Sequence, residues 1–223
     1  MYEECSFCAE INEEFGADNN EKTANRYKAI SCNVNSSSRV IWENDELLLM
    51  PTIGCFTEGY LLLVTKQHYF SIAEFVRNSD YKKLATTLSD IHKMITNLYN
   101  GCIFFEHGAI NEHCKAGGCN DHAHLHILPA KGNILDKAKK HFEFTKHPDL
   151  DWAHKVSSQY LMFFDGNNYF LSIDDVVPSQ YFRQLLAIEA GVGDKWDWRR
   201  YPFTENMMYT LERIRRESVN YLK

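Results

Sequence analysis

Apolar residues recur along this chain with two periods, and the changes between them mark out its elements. Val40 to Met50 reads as strand, interrupted by the turn-like Glu43-Asn44-Asp45. Pro51 to Gly59 connects it to a second strand, Tyr60 to Thr65, whose unbroken Leu61-Leu62-Leu63-Val64 run predicts burial on both faces. From Asp80 to Tyr99 the period lengthens. Leu84, Leu88, Ile91, Ile95 and Leu98 share one stripe and predict an amphipathic helix that Asn100-Gly101 ends. Cys102 to Phe105 starts a third strand, and a loop rich in Gly, Asn and Cys leads to a fourth, Asp121 to Pro129. Tyr160 to Phe164 and Tyr169 to Ile173, separated by Asp165-Gly166-Asn167-Asn168, predict a hairpin. Two helices, Ser179 to Ala190 and Thr204 to Leu222, finish the chain, with Ser179 after Pro178 as the expected N-cap of the first. Residues 16–38 are polar and weakly patterned, which predicts a loop insertion with a short helix near Thr23 to Ile30. The class is α+β with a mainly antiparallel sheet.

At 223 residues and 44% hydrophobic content the chain can bury one substantial domain, with or without an appended subdomain. Composition shifts near residue 135, dividing it into 1–135 and a C-terminal extension, 136–223. A formal charge of -6 offers no broad positive field for nucleic acid or an anionic membrane, so a phosphate-bearing ligand has to be held by local donors. Seven cysteines, an odd number with none after Cys119, read against a secreted disulfide framework, which is usually denser and even in count. The start, Met1-Tyr2-Glu3-Glu4-Cys5, carries acid where a signal peptide needs base, so no signal peptide is expected, and no run approaches the length of a membrane span. A reducing, cytoplasmic setting is expected.

The segment that carries chemistry is His122-Ala123-His124-Leu125-His126-Ile127-Leu128-Pro129. On a strand its three imidazoles share one face at intervals of about 6–7 Å, while Ala123, Leu125 and Ile127 supply a buried back. Imidazole near neutral pH suits metal ligation, proton transfer or nucleophilic attack. For attack on phosphorus one ring nitrogen must be free while the other donates a hydrogen bond that fixes the tautomer.

This string resembles the H-x-H-x-H signature of the histidine triad (HIT) hydrolases and transferases. Gly59-Tyr60-Leu61-Leu62-Leu63-Val64-Thr65-Lys66-Gln67-His68 is similar to the family's glycine, apolar strand and Lys-x-His segment, and the resemblance covers roughly residues 1–135. It implies a HIT-like sheet with packed helices. It also implies that His124 attacks the α-phosphorus of a nucleotide ester, anhydride or amidate, and that His126 contacts phosphate oxygens and helps the leaving group depart. The expected partner is a nucleotide or nucleotidylated small molecule, and a homodimer is the family's common assembly.

Cys5-Ser6-Phe7-Cys8 is half of a zinc site at most, because zinc takes four ligands. The resemblance proposes His68 and His122 as the other two, making a closed, structural centre. A competing set, His113, Cys114, Cys119 and His122, lies within ten residues of sequence. Cys32, Cys55 and Cys102 read as ordinary buried or partly buried thiols. Three places depart from the family pattern. Glu106-His107-Gly108 replaces Asn-x-Gly, and Gly118-Cys119-Asn120 replaces Gly-Gln-Ser, both at positions that help hold phosphate; Gly118 and Asn120 are the expected substrate contacts there. Met50-Pro51 stands where many members have an aspartate near the ribose. In the extension, Gln180 and Arg183 share a helix face at i, i+3. Arg183 either clamps a phosphate or belongs to an ordinary amphipathic helix, and Trp196 and Trp198 read as packing anchors. The leading expectation is a nucleotidyl hydrolase or transferase. The alternative is a zinc-stabilised nucleotide-binding module with little catalysis, and a nucleic-acid enzyme is disfavoured by the acidic balance.

Overall fold

The structure, a computed structural model, describes residues 5–15, 39–111, 122–130, 134–174 and 177–222. The expected insertion at 16–38 lies outside them. Among the described residues eight strands form one sheet: β1 (Trp42–Glu43), β2 (Leu47–Pro51), β3 (Leu61–Thr65), β4 (Ile103–Gly108), β5 (His124–Leu128), β6 (Thr145–His147), β7 (Tyr160–Phe164) and β8 (Tyr169–Ile173). Their order is β1-β2-β3-β5-β4-β7-β8-β6, and every pairing is antiparallel. The class is α+β. Both β2 and β3 are buried at all five positions, as the continuous apolar runs require, because helices cover both faces of the sheet.

One face carries Leu47, Leu49, Leu63, Leu125, Ile127, Phe104 and Met162. It packs against α2 (Ile72–Asn78), α3 (Tyr81–Tyr99) and a 3₁₀ helix (Leu150–Lys155), which contribute Phe75, Leu84, Leu88, Ile91 and Trp152. The helix α3 is the one its periodicity predicts. Asp80 caps its start by accepting from the Lys82 N–H, and Asn100 ends it in the left-handed conformation at φ 62°. The opposite face is covered in two patches. Phe7 and Ile11 of α1 (Ser6–Phe15) sit over Leu48, Met50, Leu62 and Val64. Residues of α4 (Ile134–Ala138), α5 (Tyr181–Glu189) and α6 (Thr204–Ser218) sit over Phe105, Leu161 and Phe163.

The predicted hairpin is β7–β8, and it continues the sheet by pairing with β4 from Phe104↔Phe164 to Gly108↔Tyr160. Residues before and after 135 therefore share one hydrogen-bonded sheet. The expected N-cap is corrected: Gln180, at φ 55°, occupies that place, and its side chain makes no capping bond. The loop between β2 and β3 is pinned to the C-terminal part. Gly54 donates to Pro202 O at 2.9 Å, and Gly59 donates to Oγ1 of the buried Thr210 at 2.8 Å. Gly54 holds φ +76°, and a Cβ there would stand 2.5 Å from Trp198 Cβ, so only glycine admits this approach. Trp198 thus sits against the loop, as its reading as an anchor anticipated. Among the described residues no helix is long and apolar enough to cross a membrane.

Candidate active site and metal-ligand cluster

Register places the histidines. Val64 pairs with His124, and His126 stands between Leu62 on β3 and Phe105 on β4, so the rings share the face of Leu62, Val64 and Phe105. Ala123, Leu125 and Ile127 are fully buried in the opposite core. The His124 and His126 ring centroids are 4.9 Å apart, and both residues are half-buried. His124 Nδ1 lies 2.6 Å from the His122 carbonyl oxygen. A carbonyl only accepts, so the proton sits on Nδ1 and Nε2 keeps its lone pair. Among the described residues nothing bonds that Nε2. Burial pushes His124 down to about 4, against the pull of the carbonyl, and so favours the neutral ring that attack needs. Phe7 of α1 lies against the same ring, its centroid 5.2 Å away.

His126 lies flat on Phe105, with centroids 4.4 Å apart and 6° between planes. Its Nδ1 is 2.8 Å from the hydroxyl of Tyr60, a residue with no exposed surface. Burial holds His126 well below its usual value, and the charges of His124, Arg183 and His107 act in the same direction. Tyr60 was not singled out from sequence. Strand alternation puts Tyr60, Leu62 and Val64 on one face, but that they face the histidines depends on the β3–β5 register, which periodicity does not reveal.

Arg183 is 3% exposed. Its Nε and Nη2 donate to Trp196 O, and Nη2 donates to Gly54 O at 2.9 Å. The fork edge that a bidentate phosphate clamp uses is thus engaged by backbone. Its guanidinium carbon lies 5.1 Å from the Tyr60 ring centroid and 5.2 Å from that of Phe56. Among the described residues no carboxylate pairs with it. Gln180 marks the start of α5, and the expected Gly118 and Asn120 lie outside the described residues. Glu106 is on the face opposite the histidines, where its carboxyl accepts from the Ile72 N–H and hydrogen-bonds the Tyr160 hydroxyl. It anchors α2 to β4 and does not face the triad. Its neighbour His107 does share the triad's face, with its ring 6.1 Å from Phe105 and its Nε2 accepting the Phe182 N–H at 3.4 Å.

The first-named cysteine and histidine set converges. Cys5, Cys8, His68 and His122 bring one ligand atom each within 4.8 Å of one another and could hold a metal ion. His122 Nδ1 is 3.3 Å from Cys5 Sγ and 3.5 Å from Cys8 Sγ, and His68 Nδ1 is 3.3 Å from Cys8 Sγ. These lie at or slightly below the edges of a tetrahedron with Zn–S about 2.3 Å and Zn–N about 2.0–2.1 Å, roughly 3.4–3.8 Å. His122 Nε2 donates to Thr65 O at 2.7 Å, which leaves the Nδ1 lone pair aimed at the sulfurs. The Cys8 thiol, donating to Cys5, holds Cys5 far below the usual thiol range, at about 3, and Cys8 is raised in turn. One thiolate is therefore already favoured. Of the competing set, His113, Cys114 and Cys119 lie outside the described residues.

No family model and no curated protein matches the chain. Among solved structures it is similar to a hypothetical histidine triad nucleotide-binding protein of Sulfolobus tokodaii, at 19% identity and a TM-score of 0.36 over 58% of this chain and 71% of that one. A Hit-like protein of Bartonella henselae, described as involved in cell-cycle regulation and holding an unknown ligand, matches at 19% identity and a TM-score of 0.34 over 48% and 74%. A Streptococcus mutans protein matches at 16% and 0.32 over 56% and 83%. The solved structures to which this chain is similar thus include histidine triad proteins.

Proposed function

We propose that the chain is a nucleotidyl hydrolase or transferase of the histidine triad kind, with His124 as its nucleophile. Nε2 of His124 attacks the α-phosphorus of a nucleotide anhydride, ester or amidate. The new N–P bond forms as the bond to the leaving group breaks, and that group departs with a proton delivered by His126. Water or another acceptor then releases the nucleotide from the adduct. One observation carries the reading: the 2.6 Å contact between His124 Nδ1 and the His122 carbonyl, which places the proton on one nitrogen and frees the other.

In this reading Cys5, Cys8, His68 and His122 hold zinc with all four positions filled by protein, so the ion stabilises the fold and does not act on substrate. Because the nucleophile's Nδ1 bonds the backbone carbonyl of a ligand residue, His122, ordering of the cluster also orders the attacking ring. The test is incubation with a panel of adenylated phosphoramidates, alkyl esters and dinucleoside polyphosphates, with acid quenching to trap the adduct. Release of nucleotide and a nucleotidyl group on His124 are expected, and both vanish in His124→Ala. If neither occurs, while nucleoside monophosphate raises the melting temperature of wild type and His124→Ala alike, the protein is a binding module instead.

A further inference from the structure

We propose that Tyr60 passes a proton through His126 to the departing group, and that Arg183 balances the negative charge then left on the phenol oxygen. This rests on the reading above, in which His124 attacks phosphorus.

Burial disfavours the charged form of His126, and a neutral imidazole carries one proton. Giving that proton from Nε2 leaves an imidazolate unless Nδ1 gains another in the same event. The group placed to supply it is Tyr60, whose hydroxyl is 2.8 Å from Nδ1. Burial raises Tyr60 to about 12, so it holds its proton until one is drawn from it. Behind it lies Arg183, buried, anchored on the carbonyls of Gly54 and Trp196 and 5.1 Å from the phenol ring centroid. Carbonyl dipoles orient a guanidinium without neutralising it, and among the described residues no carboxylate does so. A buried cation without an anion is costly, and a phenolate formed beside it relieves that cost.

The step balances. His124 Nε2 bonds to phosphorus and becomes a phosphorylated imidazolium whose Nδ1–H stays on the His122 carbonyl. The leaving group takes the His126 Nε2 proton, His126 Nδ1 takes the Tyr60 proton, and the phenolate faces Arg183. When water resolves the adduct, its proton enters at Nε2 and the Nδ1 proton returns to Tyr60. The relay matters most for basic leaving groups, amines and alkyl alcohols, and least for nitrophenols, which leave without a proton. Tyr60 and Arg183 are positioning residues here, because only His126 meets the substrate.

Nitrogen-15 NMR of histidine-labelled wild-type protein, assigned with His126→Ala, reads the tautomer without any turnover. His126 is expected with Nε2 protonated and Nδ1 bare, and the reverse assignment overturns the relay. Kinetics of Tyr60→Phe across adenosine 5′-phosphoryl derivatives of graded leaving-group pKa give the second readout. The expected loss grows from a few-fold for nitrophenyl esters to roughly 10²-fold for alkyl esters and amidates, the lower end of what leaving-group protonation contributes. A uniform loss across the series means Tyr60 only packs, and overturns the proposal. Arg183→Lys should retain more of the steep end than Arg183→Met, and equal losses overturn the charge-balancing role. If wild type forms no adduct with any member, the proposed function falls and the relay with it, whereas a tautomer reversed in an active enzyme removes the relay alone.

Discussion

Glu106 is 2% exposed, with Oε1 accepting from the Ile72 N–H at 2.7 Å and Oε2 lying 2.5 Å from the Tyr160 hydroxyl oxygen. Burial raises its carboxyl from 4.5 to about 8, against the pull of those two contacts. The native protein at neutral pH therefore holds a proton that the unfolded chain releases. The associated stability is fully present below pH 4.5 and is lost as pH rises through 8, and that interval corresponds to roughly 4–5 kcal/mol. Glu106→Gln mimics the neutral acid and does not titrate. Its amide keeps the acceptor for Ile72 and donates to the Tyr160 oxygen as the protonated Oε2 does, with the change of donor costing at most about 1 kcal/mol. Relative to wild type, the variant should be slightly less stable or equal at pH 5, and more stable by roughly 3–4 kcal/mol at pH 9. Urea unfolding followed by tryptophan fluorescence at pH 5, 7 and 9 measures both proteins in the same buffers. Taking the difference cancels the titration of the cysteine–histidine cluster, which the two share. A difference that stays flat with pH, or a variant less stable at pH 9, would show an ionised Glu106 in the fold and refute the reasoning.

Elemental analysis should find one zinc per chain, lost in Cys8→Ser, and chelation should lower the melting temperature by roughly 5–15 °C, equivalent to about 2–4 kcal/mol in a domain of this size; a metal-free protein with an unchanged melting point would contradict the cluster's role. Gly54→Ala should destabilise by roughly 1–3 kcal/mol from its left-handed backbone alone, and by more because the new Cβ meets Trp198 Cβ at 2.5 Å and Arg183 Nη2 at 2.8 Å. Denaturant midpoints measure this, and an unaltered midpoint would mean that the loop is not pinned. Asp80→Ala removes the side-chain acceptor for the Lys82 N–H and should cost about 1 kcal/mol in the same assay.

Periodicity and chemistry at short range were legible in the chain itself. The α3 stripe with Asn100 at its end, the buried β3 run, the β7–β8 hairpin and the alternation of His122, His124 and His126 against Ala123, Leu125 and Ile127 all depend on neighbours a few residues apart. Elements without such a pattern were not legible. Short α1, α2, α4 and β6 carry too few residues for a period to show, and Gln180 at the start of α5 takes a left-handed conformation that a glutamine does not announce.

What the chain determined alone is the identity of the reactive groups and the face they share, because those follow from residue type and a two-residue repeat. What tertiary structure decided is their company. The β3–β5 register brings Tyr60 to His126, and packing of α5 beneath the β2–β3 loop buries Arg183 under Tyr60. Glu106 turns to the opposite core and serves α2. Cys5 and Cys8 reach His122 across more than a hundred residues of sequence. Each of these is a long-range contact whose geometry depends on how whole elements pack, and no local propensity encodes it.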